Sequence, residues 1–372
     1  MKDQICPRVL FLAQLPPPMH GAAAVNLELV DSVILNRQFD IETIPIQLSD
    51  EIAQIGVHSF KKFVRILQSS CRIIRAVVRS RPKLAYMTLP PHGGGFYAAL
   101  PLVFILKIMR VKILYHFHGK GFRNASIRSK VYAILVKFAT RNTHSILLSP
   151  LLLDDARESI DSGEIFYLPN FAPDVSDVRD VPARNGRHVL FLSNLVLSKG
   201  PVALLDALAL LKKRGVSFEA TFAGKTHPPL TEQSFKQEIE ARGLNDCTLY
   251  LGAVYGADKA AILLRADVLA LPTTYPNEAF PLVILEAMAY GLAVVATSEG
   301  AIADMVRQGE SGFLVAPEDS EDLANALQRL LNDSLLCQAM GRKGQMVVNE
   351  HFSRQLFHSR MAEIWTKVLL VA

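Results

Sequence analysis

The stretch Tyr275–Thr297, YPNEAFPLVILEAMAYGLAVVAT, contains one helix start and one helix end between two apolar runs. Pro281 suits the first helical position, where its missing N–H is not needed, and Gly291 suits the position after the last turn. An apolar run, Val268–Leu271, precedes this helix, and a second, Ala293–Ala296, follows it. We therefore expect a strand–helix–strand unit, and such units build parallel sheets.

The same alternation of short β-rich runs and amphipathic segments continues along the whole chain. The other predicted strands are Val9–Leu15, Ile41–Ile46, Leu84–Leu89, Lys112–His118, Ser145–Ser149, Phe166–Leu168, Val189–Leu192, Phe218–Ala223, Thr248–Leu251 and Gly312–Val315. This order predicts an α/β protein with two doubly wound, Rossmann-like domains, since 372 residues exceed one ordinary domain. The polar, proline-containing segment Ala172–Arg187 is the expected linker, which gives domains 1–175 and 176–351. Such domains are expected to face each other and to bind ligands in the cleft between them.

Composition restricts the environment of the protein. The N-terminal segment lacks the apolar stretch and cleavage site of a signal peptide, and the longest apolar segment, Phe96–Met109, is too short to span a bilayer. Four cysteines are scattered without disulfide or metal spacing. We expect a cytoplasmic protein.

Charge is distributed unevenly, because no acidic residue lies between Glu51 and Asp154, where 17 Lys and Arg residues occur. Such a surface suits a phosphate-bearing partner or an anionic bilayer. Within it, helical spacing predicts an amphipathic helix over Phe60–Val78, with basic residues along one face and apolar residues along another. The predicted apolar face consists of Phe60, Phe63, Val64, Leu67, Cys71, Ile74 and Val78. Two interpretations remain open for this helix: packing on the sheet with a solvated basic side, or peripheral adhesion to an anionic membrane.

The helix that opens at Pro281 carries the candidate chemistry. Glu286 is the only residue between Leu282 and Ala289 that is not apolar, so we expect a helix buried on all sides. A buried carboxylate needs hydrogen-bond donors, and ribose hydroxyls supply them. The free N–H groups around Phe280–Val283 suit a diphosphate, and Glu278 lies just before them, where it can reach a sugar.

The pair Glu278-x7-Glu286 with its flanks resembles the signature of retaining glycosyltransferases of family 4, which have the GT-B fold. Three further stretches extend the resemblance over nearly the whole chain: LPPPMHGAAAVN, with His20, Gly21 and Ala22; YHFHG, with His118; and FLSNLVLSKG, with Lys199. The resemblance also implies an acceptor-binding first domain, a nucleotide-sugar-binding second domain, and a C-terminal helix, 352–370, that packs back onto the first domain.

The resemblance implies a set of site residues. The catalytic candidates are His118, Lys199 and Glu278. The donor-binding candidates are Gly21, Ser193, Asn194, Lys199, Glu278, Ala279, Phe280, Pro281, Leu282, Val283 and Glu286. Ser193-Asn194 departs from the family's Gly-Arg, so one phosphate-binding cation is missing. Three basic residues are candidates to replace this cation, and a fourth alternative is that no residue replaces it. The candidates are Lys199, Lys120 and Arg123.

The resemblance implies that a hexosyl group moves from a nucleotide diphosphate sugar to a hydroxyl, on a glycan or lipid-linked acceptor of surface polysaccharide synthesis, with retention in a front-face reaction. No metal, cofactor or nucleic acid is expected; an Asp-x-Asp metal motif is absent from the sequence, and the AGKT at Ala223–Thr226 lacks the first glycine of a phosphate loop. Two alternatives stay open: a sugar-nucleotide epimerase of the same fold, and a non-catalytic, membrane-associated protein that binds sugar nucleotides.

Overall fold

The structure is a computed structural model that describes residues 6–17, 21–46, 60–175 and 186–371, with the backbone alone for residues 60–63. His20 of the Pro-rich loop and linker residues 176–185 lie outside this range. The chain forms two compact units, the first of Met1–Asn170 with Gln355–Ala372 and the second of Phe171–Arg354. The sequence-based division was drawn at residue 175. Within the described ranges, no helix has both the length and the apolar character needed to cross a bilayer.

The first unit contains a six-stranded parallel sheet with the strand order β2-β1-β3-β4-β5-β6. Its strands are β1 (Arg8–Ala13), β2 (Asp40–Pro45), β3 (Leu84–Thr88), β4 (Ile113–Phe117), β5 (His144–Leu147) and β6 (Glu164–Tyr167). Its helices before the second unit are α1 (Gly21–Val30), α2 (Val33–Gln38), α3 (Phe60–Ser80), α4 (Gly93–Ile108), α5 (Phe122–Arg128), α6 (Lys130–Thr140) and α7 (Leu153–Ala156).

The second unit repeats this architecture with the strand order β12-β11-β10-β7-β8-β9. Its strands are β7 (His188–Leu192), β8 (Glu219–Ala223), β9 (Thr248–Tyr250), β10 (Val268–Leu271), β11 (Ala293–Thr297) and β12 (Gly312–Val315). Its helices are α8 (Pro201–Lys213), α9 (Glu232–Ala241), α10 (Gly256–Arg265), α11 (Leu282–Ala289), α12 (Ile302–Met305), α13 (Ser320–Asn332) and α14 (Ser334–His351).

Each strand in the described residues overlaps one of the predicted apolar runs. Most residues of the central strands are apolar because helices cover both faces of each sheet, as in β1, where Val9 to Ala13 are fully buried. The strand order reverses between β1 and β3 in the first unit and between β7 and β10 in the second. Ligands of doubly wound sheets bind beyond the carboxyl ends of the strands at such points.

A last helix, α15 (Arg354–Leu370), belongs to the first unit although it follows the second in the chain. Its Trp365 is fully buried, and the ring centroid lies 5.6 Å from that of Tyr86 and 5.2 Å from that of Phe39. Removal of an aromatic ring this size from a core costs about 3–5 kcal/mol. The helix is therefore part of the first unit's hydrophobic core.

Helix α3 buries a different face from the one that helical periodicity indicated. Ile73, Ala76 and Val77 are buried, whereas Leu67 and Val78, which the prediction assigned to the apolar face, are 55% and 65% exposed. The helix has apolar residues on more than one side, so spacing alone did not decide which side packs. Part of its apolar surface is consequently left in solvent beside its arginines.

Candidate active site

Lys199 and Glu278, two of the predicted site residues, meet at the point where the strand order of the second unit reverses. Lys199 ends a short 3-10 helix, Leu197–Lys199, after β7, and Glu278 lies in the loop after β10. Lys199 Nζ lies 2.5 Å from Glu278 Oε2, and the two side chains are 18% and 7% exposed. The alternation of strands and helices brings together two charges that are 79 residues apart in sequence.

Neighbouring side chains hold this ion pair in position. Thr273 Oγ1 donates a hydrogen bond of 3.3 Å to the same Glu278 oxygen, and Lys199 Nζ lies 4.7 Å from the centre of the Tyr275 ring. The Thr274 N–H donates to the Ser198 carbonyl at 2.7 Å, which ties the loop after β10 to the loop after β7. A buried ion pair with additional polar contacts has a well-defined geometry, which a ligand-binding site requires.

Two glycines allow the backbone segments of the site to approach closely. Gly200 has a φ of +83°, and a Cβ there would lie 2.2 Å from the Pro272 carbonyl oxygen. Gly300 has a φ of +62°, and a Cβ there would lie 2.3 Å from the Glu278 carbonyl oxygen. Both positions therefore require glycine, because of the left-handed backbone and because of the contact.

The start of α11 completes this part of the site. Ala279 and Phe280 are buried, and Pro281 is the N-cap, with no side-chain cap for the first turn among the described residues. The first N–H groups of a helix have no intrahelical acceptor, and they lie at the positive end of its dipole. The turn at Leu282 and Val283 thus offers an anion site directly after Glu278.

Glu286 has a protein partner that the sequence analysis missed. Lys259 of α10 lies with its Nζ 2.6 Å from Glu286 Oε1, and the side chains are 34% and 20% exposed. The expectation that α11 is buried on all sides is wrong: Leu282, Val283, Glu286 and Tyr290 are half-buried and form one face. No motif in the sequence marks Lys259, because it lies 27 residues before Glu286 and the two side chains meet only after the chain has folded.

Ser193 and Asn194 follow β7 directly and meet the loop after β8. The Ser193 N–H donates to the Ala223 carbonyl, and a Cβ at Gly224 would lie 1.8 Å from the Ser193 carbonyl oxygen. Neither side chain is positively charged, so neither can supply the missing phosphate-binding cation. Of the predicted substitutes, Lys199 is paired with Glu278, and Arg123 of the first unit donates to the Asp154 carbonyl at 2.7 Å.

The remaining predicted residues, Gly21 and His118, belong to the first unit. Gly21 begins α1, and His118 follows β4, with its ring 4.0 Å from that of His116 between centroids. His116 is fully buried and shares a hydrogen bond of 2.7 Å between Nδ1 and the Tyr86 hydroxyl. Burial, with a smaller contribution from the charge of His118, holds the pKa of His116 well below its usual value. Among the described residues, no cluster of three His, Cys, Asp or Glu side chains resembles a metal site.

The second unit also matches known proteins in sequence. Residues 178–347 match the family model described as Glycosyl transferases group 1. The chain is 31% identical over 178 residues to a D-inositol 3-phosphate glycosyltransferase of Paenarthrobacter aurescens (strain TC1), a match that covers 47% of this chain and 43% of that protein. The chain thus matches less than half the length of this relative.

Solved structures extend the likeness to both units. A sucrose-phosphate synthase from Thermosynechococcus elongatus has a TM-score of 0.76 at 18% identity, covering 98% of this chain and 100% of its own. HepE from Anabaena in complex with UDP has a TM-score of 0.70 at 20% identity, covering 97% and 100%. With the two parallel sheets, these similarities establish the two-domain α/β fold of the GT-B class, and the predicted fold class is confirmed.

Proposed function

We propose that the protein is a retaining glycosyltransferase of family 4 that uses a nucleotide diphosphate sugar. The observation that carries the proposal is the buried Lys199–Glu278 ion pair beside the uncapped first turn of α11, at the reversal point of the sheet. The match of residues 178–347 to group 1 glycosyl transferases supports the glycosyltransferase part of this proposal.

The donor would lie along the loop after β10 and the first turn of α11. Lys199 has three N–H donors, so it can keep its contact with Glu278 and donate to a phosphate at the same time. The amides of the first turn of α11 would bind the same diphosphate. Glu278 would accept hydroxyls of the sugar, and Glu286 those of the ribose, because a carboxylate can accept more hydrogen bonds than Lys259 supplies.

The chemical step develops negative charge on the departing diphosphate. Lys199 and the N-terminus of α11 are fixed before the reaction, so they would stabilise that charge without reorganising. In the proposed front-face step, the bond from the anomeric carbon to the phosphate oxygen breaks, and the acceptor oxygen bonds to the same face. The acceptor's proton passes to the departing phosphate oxygen, and His118 would orient the sugar or the phosphate. We propose that no metal or cofactor takes part, because these protein groups provide the positive charge.

The surface of the first unit supports a membrane-bound acceptor. Helix α4 packs against both α3 and α6, and α4 and α6 contain no acidic residue. Together they expose an apolar surface, which we call the α4–α6 patch and which consists of Phe104, Ile108, Val131, Ile134 and Phe138. Lys107 lies within this patch, with Nζ 5.6 Å from the centre of the Phe138 ring.

Exposed apolar side chains with basic neighbours suit an anionic bilayer, which accepts the apolar groups and attracts the charges. Helix α3, which packs against α4, also exposes Leu67 and Val78. We propose that the protein is cytoplasmic and lies peripherally on the inner face of the membrane, where it glycosylates a lipid-linked glycan in surface polysaccharide synthesis. No nucleic-acid partner is proposed.

A screen of sugar nucleotides tests the donor assignment. The purified chain is heated with each compound of a uridine, guanosine and adenosine diphosphate sugar panel, and a bound donor raises the unfolding temperature. Glu286→Ala should lose the shift, whereas Lys236→Met, which removes an exposed ion pair with Glu232, should keep it. NMR of the product from the selected donor then gives its anomeric configuration.

Each of the other outcomes of these experiments would contradict part of the proposal or support a different function. If no sugar nucleotide stabilises the wild type, the chain does not use such a donor and the proposal is wrong. Conversion of the donor without any acceptor would identify an epimerase. Donor binding without conversion, in the presence of membranes and extracted lipid-linked acceptors, would favour a non-catalytic protein. A product of inverted configuration would overturn the retaining mechanism.

A further inference from the structure

The loop after β8 continues beside the loop after β7. The end of β8 and this loop form the AGKT stretch, Ala223–Thr226, which lacks the first glycine of a phosphate loop. The Leu195 N–H donates to the Lys225 carbonyl at 2.8 Å, and Leu195 pairs with Thr226 in parallel. This register places Lys225 beside Asn194, since each of the two precedes a paired residue. Leu195 is fully buried, whereas Asn194 and Lys225 are exposed, so these two side chains lie on the solvent side of the loops.

Backbone contacts on both sides hold the AGKT stretch in position. The Gly224 N–H donates to the Gly252 carbonyl at 2.7 Å, and the Tyr250 hydroxyl donates to the Gly224 carbonyl at 2.9 Å. On the other side, Gly224 lies so close to the Ser193 carbonyl that no Cβ would fit between them. The backbone next to Lys225 is therefore fixed before any ligand binds, as a binding residue requires.

The lysines near the candidate donor site differ in how their charge is balanced. Lys199 is paired with Glu278, and Lys259 is paired with Glu286. Each of these pairs is neutral as a whole, so the two pairs together add no net positive charge for a diphosphate. Lys225 forms no ion pair with any residue that the structure describes. Of the three lysines, it is therefore the one whose full charge is available to a ligand.

Lys225 lies within reach of the space in front of Ser193-Asn194. Strands β7 and β8 are neighbours in the sheet, and neighbouring strands lie about 4.8 Å apart. A lysine side chain is longer than this separation, so its ammonium group can extend across Asn194 toward the reversal point between β7 and β10. Ligands of doubly wound sheets bind at such points, beyond the carboxyl ends of the strands.

We propose that Lys225 binds the diphosphate of the donor and supplies the cation that Ser193-Asn194 lacks. The inference rests on the proposed function and deepens it, because it adds a diphosphate-binding residue from a different loop. The nucleotide diphosphate gains a further negative charge when the sugar leaves, and a lysine with a fixed backbone stabilises that charge. The contribution of Lys225 then depends on the phosphate groups of the ligand and not on its sugar or base.

Binding measurements on the full chain test this dependence. Isothermal titration calorimetry is carried out with the sugar nucleotide from the donor screen and with the matching nucleoside diphosphate, and saturation-transfer NMR with the matching nucleoside. Lys225→Met should weaken both diphosphate compounds about tenfold, because a charge-assisted contact is lost, and should leave nucleoside binding unchanged. Lys213→Met changes another exposed lysine, in the last turn of α8, and should bind all three ligands like the wild type.

A rescue experiment uses the register of the two loops. Asn194→Arg in the Lys225→Met background returns a cation to the neighbouring position and should regain most of the lost diphosphate affinity. Asn194→Gln in the same background adds no charge and should regain none. Both positions are exposed, so all these variants should keep the wild-type unfolding temperature.

The outcomes separate this inference from the proposed function. Wild-type diphosphate affinity in Lys225→Met, an equal loss of nucleoside affinity, or equal affinities of the two double variants would overturn the role of Lys225 and leave the transferase. If the wild type binds no sugar nucleotide, the proposed function is wrong, and the role of Lys225 falls with it.

Discussion

Lys259 Nζ lies 2.6 Å from Glu286 Oε1, in an ion pair that joins α10 to α11. This lysine orients the carboxylate that we assign to the ribose. We expect Lys259→Met to weaken binding of the nucleotide about three- to tenfold, because the freed carboxylate loses its fixed geometry. Isothermal titration calorimetry measures the change. Lys236→Met, in the exposed pair with Glu232, is the matched control and should bind normally. Equal affinity in both variants would show that Lys259 has no part in the site.

The Lys199–Glu278 pair allows stability to be separated from activity. Lys199→Met leaves a carboxylate that is 7% exposed without its counter-charge, which should lower the free energy of unfolding by about 3 kcal/mol. Turnover should fall about 100-fold or more through loss of charge stabilisation. The double variant Lys199→Met with Glu278→Gln should regain most of the stability and none of the activity. Urea unfolding followed by circular dichroism, together with donor turnover, measures both; recovery of turnover in the double variant would contradict the catalytic role.

Gly200 and Gly215 form a matched pair of left-handed glycines in the second unit. Their φ angles are +83° and +73°, but a Cβ at Gly200 would lie 2.2 Å from the Pro272 carbonyl oxygen, whereas none lies within 4 Å at Gly215. Gly215→Ala should cost only the conformational strain, about 1 kcal/mol. Gly200→Ala should in addition displace Lys199 and lower donor affinity about tenfold or more. Thermal unfolding and donor titration of the two variants compare these effects; equal donor affinity would show that the close approach does not position Lys199.

The α4–α6 patch predicts membrane binding that depends on lipid charge. The protein should sediment with vesicles that contain phosphatidylglycerol, less with pure phosphatidylcholine vesicles, and less again at high salt. Ile134→Glu should reduce binding several-fold, because it adds a negative charge to a side chain that is 69% exposed within the patch. Leu335→Glu changes a side chain that is 75% exposed in the second unit and should have no effect. Equal losses in both variants would argue against the patch.

The buried His116 predicts a pH-dependent stability of the first unit. Its pKa is lowered in the folded state, chiefly by burial, so the unfolded chain takes up a proton first as the pH falls. The contribution of His116 to the free energy of unfolding is therefore fully present above about pH 6.5, the pKa of an unperturbed histidine. As the pH falls further, this contribution decreases by up to about 1.4 kcal/mol per pH unit until the pKa of the folded state is reached. His116→Gln should flatten this dependence between about pH 6.5 and 5. The single tryptophan, Trp365, is buried in this unit and reports its urea unfolding; identical slopes would refute the assignment.

The sequence was sufficient to predict the strands and the doubly wound fold, because parallel strands covered on both faces are short and mostly apolar. It was also sufficient to name Lys199 and Glu278, which lie in recognisable motifs. It did not reveal that they touch, nor that Lys259 is the partner of Glu286, since neither contact follows from local spacing. The exposed side of α3 was assigned wrongly because its apolar residues surround much of the helix.

The position of Trp365 in the core of the first unit affects how the protein folds during synthesis. A ribosome makes residues 1–170 first and residues 171–354 next, and only then helix α15. Until α15 emerges, Phe39 and Tyr86 lack the indole that packs against them. The first unit can therefore complete its hydrophobic core only after its last helix has been made, whereas all residues of the second unit are available earlier.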